Sequence, residues 1–354
     1  MEVTMLGSLS NNTIWAKVMA KFGRRLTAQN YSDLLSCQSV GEAALYLKNN
    51  TDYSSILDEV KNTDVHRGRL EELLHRRQFE DFSSLCAFEF AGQSFFYKII
   101  IRRNEIEQLL HCLRLLSFGR EDEYLFRLPT FFANHTQINL IGLAKCKSFD
   151  EILTVLADTE YAAMLKKYKP QDGQPLDFTG IETTLNTYLY DTIFSLIKEN
   201  THGTARRELI ELYSMEAELE NVLRIVRLKK GFSLSPQFIR SCLISHWLYI
   251  TPKLLDDMLA AESADEVLRI FQKSKYGKKM PQDKDYLYYE QRFQQILFQK
   301  AIHMLHFSVN PSSIFAAYSI FSRIELHNII NIIEGIRYQL SQDQIREMLI
   351  LENS

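Results

Sequence analysis

His303 and His306 lie one helical turn apart, with His327 further on, and imidazoles at that spacing are candidate metal ligands. A tetrahedral site needs a third ligand at defined spacing, usually with a carboxylate or thiolate beside it, and none stands near this pair. His306 falls where a helix runs out toward Pro311, a position at which histidine interacts well with the helix dipole. Glu105 and Glu107, Glu218 and Glu220, and Glu325 are the next candidates, as carboxylates for acid–base work. They recur in three parts of the chain, whereas a catalytic pair is needed once. The expectation is structural: Glu near a helix start, with Gln108, Asn221 and Asn328 hydrogen-bonding between helices. The five cysteines (Cys37, Cys86, Cys112, Cys146, Cys242) form no CxxC, which fits reduced, buried thiols in a cytosolic protein. GxxxxGK, GxGxxG and GxSxG are all missing. The expectation is therefore no catalytic residue, no metal and no cofactor.

The elements that carry these residues repeat. SVGEAALYLKNNTDY (Ser39 to Tyr53) returns as SFDEILTVLADTEY (Ser148 to Tyr161) and SADEVLRIFQKSKY (Ser263 to Tyr276). Each copy has Ser, two residues, Glu (Glu42, Glu151, Glu266), an apolar run at helical spacing, then Tyr. Ser-x-x-Glu before such a run predicts a capping box. The serine oxygen takes an orphan amide of the first turn, and the glutamate reaches back to the amide of the cap. Such a cap contributes about 1 kcal/mol.

A second signature, apolar–Glu–x–x–apolar, recurs at Leu70-Glu71, Ile181-Glu182 and Tyr289-Glu290 and opens long amphipathic helices. A third recurs as EIEQLL from Glu105, ELENVL from Glu218 and ELHNII from Glu325, 34, 36 and 35 residues after the second-signature glutamates. Three signatures in constant order predict three helical repeat units, bounded near Pro129 and Pro236: 1–128, 129–235 and 236–354. Arg114 and Arg227, each nine residues after a signature glutamate, suggest an ion pair that fixes helix register. The basic pairs at 76–77, 102–103, 206–207 and 229–230 read mostly as solvated faces, with a surface that meets an acidic partner as the alternative. Phe88 to Ile101 is rich in β-formers, but its counterparts around Glu208 and Phe315 read helical, and so does it. The first residues, up to Ile14, read as polar and loose, with a helix from Ile14 toward Tyr31.

Composition agrees with this reading. With 46% apolar and 24% charged residues each unit can bury a core, and 13 Gly and 7 Pro favour long helices over many turns. A net charge of -3 gives no electrostatic reason to bind nucleic acid. Apolar runs stay below the ~18 residues that span a bilayer, and the start lacks the regions of a signal peptide.

ELHNIINIIEGIRY (Glu325 to Tyr338), NVLRIVRLKKGF (Asn221 to Phe232) and YSDLL (Tyr31 to Leu35) ahead of the first Ser–Tyr motif resemble one family. It is the rotary ATPase component that joins the central stalk to the membrane rotor ring: the C subunit of V/A-type enzymes, the d subunit of the vacuolar enzyme. The likeness runs from about Ile14 to Leu349. It implies an all-α fold of three similar helical units around a pseudo-threefold axis, forming a funnel. It also implies a non-catalytic role at the cytoplasmic face of the membrane, peripheral rather than inserted. The partners implied are the proteolipid ring at one end and the central shaft at the other. Inner helix ends would face the shaft, and loops between signatures the ring. A helical adaptor that binds proteins in a concave groove is the alternative, and a period near 110 residues disfavours it, since solenoid repeats run about 20–50 residues.

Overall fold

The computed structural model describes residues 2–58, 60, 65–86, 95–126, 128–171, 174–231, 234–277 and 289–352; side chains of residues 2–12 and 126 are outside that description. Among the described residues the regular structure is helical, with no β-strand. In order come α1 (Glu2–Gly23), α2 (Ala28–Ser36), α3 (Val40–Asn50), α4 (Arg67–Cys86), α5 (Phe95–Ser117) and α6 (Asp122–Phe126). Then follow α7 (Leu140–Leu143), α8 (Phe149–Val155), α9 (Glu160–Leu165), α10 (Phe178–Asn200), α11 (Gly203–Gly231) and α12 (Pro236–Ser241). The chain ends with α13 (Pro252–Ala260), α14 (Ala264–Phe271), α15 (Tyr289–Phe307), α16 (Pro311–Arg337) and α17 (Gln342–Glu347). Short 3-10 turns at Ser54–Leu57, Thr130–Phe132 and Lys166–Tyr168 link them.

By their contacts these helices form two compact units, one of Met1–Ser94, Thr201–Glu216 and Phe271–Ser354, the other of Phe95–Asn200 and Ala217–Ile270. In the first, α16 is the axis of the packing. Its buried residues run around most of its circumference, from Ile314 and Phe315 to Ile332 and Ile333, and it lies against α1, α4 and α15. A helix apolar on that many faces has to be enclosed by others. One continuous core joins Leu34, Leu47, Leu70 and Leu74 from the start of the chain to Leu326, Ile329 and Ile333 from its end. Each such side chain contributes about 1.5–3 kcal/mol on burial. Phe22 meets Phe321 edge-on at 5.1 Å, and Phe82 meets Tyr318 at 6.0 Å.

In the second unit α5 packs along α10, and the stretch of α11 from Ala217 to Val226 is buried at all but one position. Short helices α7 to α9 and α12 to α14 complete it. The signature glutamates therefore sit on the most enclosed helices of their units: α5, the second half of α11, and α16.

Several local expectations change. α1 begins at Glu2, so the residues ahead of Ile14 are helical, and it ends at Gly23, so Tyr31 belongs to α2. Phe95 to Ile101 is helix as expected, with α10 as the helical partner of its apolar residues, while residues 88–94 lie outside the described residues. The guanidinium of Arg114 lies 5.1 Å over the Phe178 ring instead of in an ion pair with a described residue, because the neighbouring helix offers an aromatic face there.

α5 and α16 end alike. Arg120 N–H donates to Leu115 O and Gly119 N–H to Leu116 O; Leu340 N–H donates to Gly335 O and Gln339 N–H to Ile336 O. Both are Schellman ends, with Gly119 at φ +65° and Gln339 at φ +56°.

Candidate functional site

The three recurring serines cap as expected. Ser39 Oγ accepts from Glu42 N at 3.1 Å, Ser148 Oγ from Glu151 N at 3.3 Å, and Ser263 Oγ from Glu266 N at 3.2 Å. The glutamates reach one residue further back than predicted. Glu42 accepts from Gln38 N, Glu151 from Lys147 N and Glu266 from Glu262 N, at 2.7, 2.7 and 2.8 Å. At Ser39 and Ser148 the cap backbone is extended (φ near -140°), and this presents the preceding amide to the carboxylate. Strict capping boxes form instead at Thr27–Asn30 and Ser341–Gln344.

The third-signature glutamates are not at helix starts. They are mid-helix and buried: Glu105 is 1% exposed, Glu218 0% and Glu325 9%. A buried carboxylate has to find donors, and each finds them in the segment that precedes a capped short helix elsewhere in the chain. Glu105 accepts from Gln137 N at 3.2 Å, Thr136 Oγ1 at 2.8 Å and Tyr161 Oη at 2.7 Å. Glu218 accepts from the amides of Leu248, Tyr249 and Ile250 at 2.6, 2.7 and 2.8 Å. Glu325 accepts from Leu26 N at 2.9 Å and Tyr53 Oη at 3.1 Å. Leu26-Thr27, Ile138-Asn139 and Ile250-Thr251 are thus a fourth recurrence, an apolar residue followed by a helix cap, too short to stand out in the sequence.

The asparagines act beside them. Asn221 exchanges two hydrogen bonds with the backbone of Ile244, Nδ2 to O and N to Oδ1, both at 2.8 Å. Asn328 does the same with Ile350 at 2.7 and 2.9 Å. The expected bonds between helices are replaced by pairing with the loose backbone after a helix, where peptide groups lack intrahelical partners. In the first repeat the equivalent Gln108 accepts from Tyr124 Oη at 3.1 Å. Of the recurring tyrosines, Tyr53 and Tyr161 meet signature glutamates, and Tyr276 is buried against Phe271, with the ring centroids 6.0 Å apart.

The three carboxylates differ in how their charge is met. Glu105 has a cation of its own: Arg102 Nη1 is 3.1 Å away, and the guanidinium also lies over Tyr161 and Tyr188 and pairs with Glu160. Glu218 has three amides. Glu325 has two donors and, among the described residues, no cation at salt-bridge distance. The nearby Arg25 pairs with Glu352, and Arg77 with Asp52 and Asp81. Burial pushes the Glu325 carboxyl up to about 7, against the pull of Leu26 N, Tyr53 Oη and the two more distant arginines. A cavity of about 30 Å³ opens beside it, lined by Lys21, Arg24, Arg77, Asp81 and Gln78 among others, with room for a water.

The histidines are placed otherwise than in a metal site. The His303 ring is 4.8 Å from Phe307, and His306 meets Phe22 edge-on, with Nε2 3.6 Å from Glu352. Among the described residues, no group of three or more His, Cys, Asp or Glu side chains comes together as a metal cage. Nor is any described helix long and apolar enough to cross a membrane. Several exposed apolar side chains stand at helix ends: Phe307 at the end of α15 and Val309 after it, Phe118 after α5, Tyr338 and Leu340 after α16.

The family model for the ATP synthase (C/AC39) subunit matches residues 14–348. The chain belongs to that family. Among its relatives is the C subunit of the A-type ATP synthase of Methanosarcina mazei, 22% identical over 349 residues, covering 97% of this chain and 94% of the relative. The same subunit of Methanocaldococcus jannaschii is 20% identical, covering 95% of this chain and 85% of the relative. That of Methanosphaera stadtmanae is 20% identical over 74% of this chain and 65% of its own length. The resemblance to the V/A-type C subunit carried by the Glu325 to Tyr338 stretch is thus matched along nearly the whole chain.

Proposed function

We propose that this protein is the non-catalytic subunit that couples the central shaft of a V/A-type rotary ATPase to its membrane proteolipid ring. It sits peripherally at the cytoplasmic face of the membrane. Torque from ATP hydrolysis, or from ion flow in the synthase direction, passes through it. The observation that carries the reading is the family match over residues 14–348.

The proposed shape is three helical repeats, 1–128, 129–235 and 236–354, around a pseudo-threefold axis, forming a funnel. Its support is local. Each signature glutamate takes donors from the next repeat in cyclic order: Glu105 from Gln137, Glu218 from Ile250, and Glu325 from Leu26 at the start of the chain. A coupling that carries torque needs its parts locked in register, and buried, directional hydrogen bonds resist sliding better than apolar contact does. The apolar tips at Phe118, Phe307, Val309 and Tyr338 are candidate contact points for the shaft and ring subunits.

The test is to affinity-tag the chain, solubilise native membranes gently and isolate what it holds. Co-purification of the ring and of an ATP-hydrolysing head is expected, as is loss of ion pumping with retained ATP hydrolysis when the chain is deleted. Purified membranes in which the chain migrates apart from any rotary ATPase would sink the proposal.

A further inference from the structure

Glu325 joins parts of the chain that are almost as far apart in sequence as any two can be. Its Oε2 takes the amide of Leu26, 299 residues away, and its Oε1 takes the hydroxyl of Tyr53, 272 residues away. Through these two bonds α16 holds the entry to α2 and the turn that follows α3. The equivalent carboxylates hold their segments by stronger means, Glu105 with Arg102 at 3.1 Å and Glu218 with three amides. Of the three, the Glu325 seam is the one that meets a buried carboxylate with two donors, beside a cavity of about 30 Å³ with room for a water.

We propose that Glu325 is a proton-operated latch: protonated, it holds the first helices of the chain closed on α16, and ionised, it loosens them.

The groups around Glu325 fit this assignment. From α1 and the turn after it come Lys21, Arg24 and Arg25; from α2, Tyr31; from the turn after α3, Asp52 and Tyr53; from α4, Arg77 and Asp81; and from α16 itself, Tyr318. The cations are engaged elsewhere: Lys21 with Asp81 at 2.6 Å, Arg24 with Asp52 at 3.5 Å, Arg25 with Glu352 at 3.4 Å, Arg77 with Asp52 and Asp81. Tyr31, Tyr53 and Tyr318 are buried or nearly so and held above the ordinary phenol range by that burial, so they stay neutral; Tyr53 donates to Glu325, and Tyr31 accepts from Asn328 Nδ2 at 3.4 Å. Glu325 is then the group at the seam whose charge changes near neutrality.

The direction follows from linkage. The carboxyl titrates near 7 when the seam is closed and near its ordinary 4.5 when the seam is open and solvated. Between those values the closed form binds the extra proton, so raising the pH favours opening. From pH 5.5 to pH 8 the opening equilibrium rises roughly 30-fold. This inference rests on the geometry of the seam and stands apart from the rotary reading.

Hydrogen exchange of the full-length protein tests it. After correction for intrinsic exchange rates, protection of the Leu26 amide and of α2 is expected to fall roughly 30-fold between pH 5.5 and pH 8. Glu325→Gln is expected to abolish that dependence, and Glu105→Gln to leave it in place. Protection that stays flat in the unmodified protein, or that falls equally in Glu325→Gln, overturns the proposal. Carbon NMR of the labelled Glu325 carboxyl gives a second reading that needs no variant. A midpoint near 7 is expected, and a midpoint at the ordinary carboxylate value overturns the latch.

Discussion

Tyr53 Oη donates to Glu325 Oε1 at 3.1 Å, and Tyr161 Oη donates to Glu105 Oε2 at 2.7 Å. The tyrosine that closes a Ser–Tyr motif is therefore the partner of a third-signature glutamate from another part of the chain. The same pairing is built twice with different electrostatics: an arginine completes the second pair, and a cavity lies beside the first.

Tyr53→Phe should destabilise the protein in a pH-dependent way. Removing the hydroxyl takes away a donor that favours the ionised carboxylate, so the Glu325 carboxyl should rise further above 7. The bond is charge-assisted when Glu325 is ionised and ordinary when it is protonated. The expected cost is about 2 kcal/mol at pH 8 and about 1 kcal/mol at pH 5. Urea unfolding at the two pH values reads the difference, and equal losses would contradict it.

Glu105→Gln should cost about 3 kcal/mol, because it breaks a buried charge pair and leaves the part-buried Arg102 with Glu160 as its remaining carboxylate. A double-mutant cycle with Arg102→Met should return a coupling of at least about 1 kcal/mol. Additive losses would mean that the pair is geometrically close but energetically idle.

Gln339→Gly should stabilise the protein by about 1 kcal/mol. Gln339 stands at φ +56° in the Schellman end of α16, where α5 has Gly119 at φ +65°. Thermal unfolding should move to higher temperature. A Gly119→Gln variant should move it the other way by a similar amount.

Gly335→Ala should destabilise by about 1–3 kcal/mol through overpacking. A Cβ there would sit 2.4 Å from Ile345 Cγ1 and 2.7 Å from its Cδ1, where α17 crosses α16. Ile345→Ala removes those atoms, so the double variant should be less destabilised than the sum of the single ones. A simple sum in the unfolding midpoints would show that α17 shifts freely.

The sequence by itself determined the long helices, the three serine caps and three of the recurrences. Ser39, Ser148 and Ser263 cap as their spacing to Glu42, Glu151 and Glu266 requires, because capping is settled within one turn of chain. The second-signature residues Leu70, Ile181 and Tyr289 lie on the long helices α4, α10 and α15, and the family likeness is readable from Glu325 to Tyr338. Tertiary structure alone decided what the signature glutamates and asparagines do. Helical periodicity says that Glu105, Glu218 and Glu325 share a position among apolar neighbours, and at that level a buried carboxylate and a solvated one look alike. The donors common to all three are backbone amides, among them those of Leu26, Gln137 and Ile250, and an amide has no letter in a sequence. The same reason hid the seam at Glu325. A bond across 299 residues is set by how the folded ends meet. So is the reach of an arginine, which completes Glu105 and leaves Glu325 as the proposed latch.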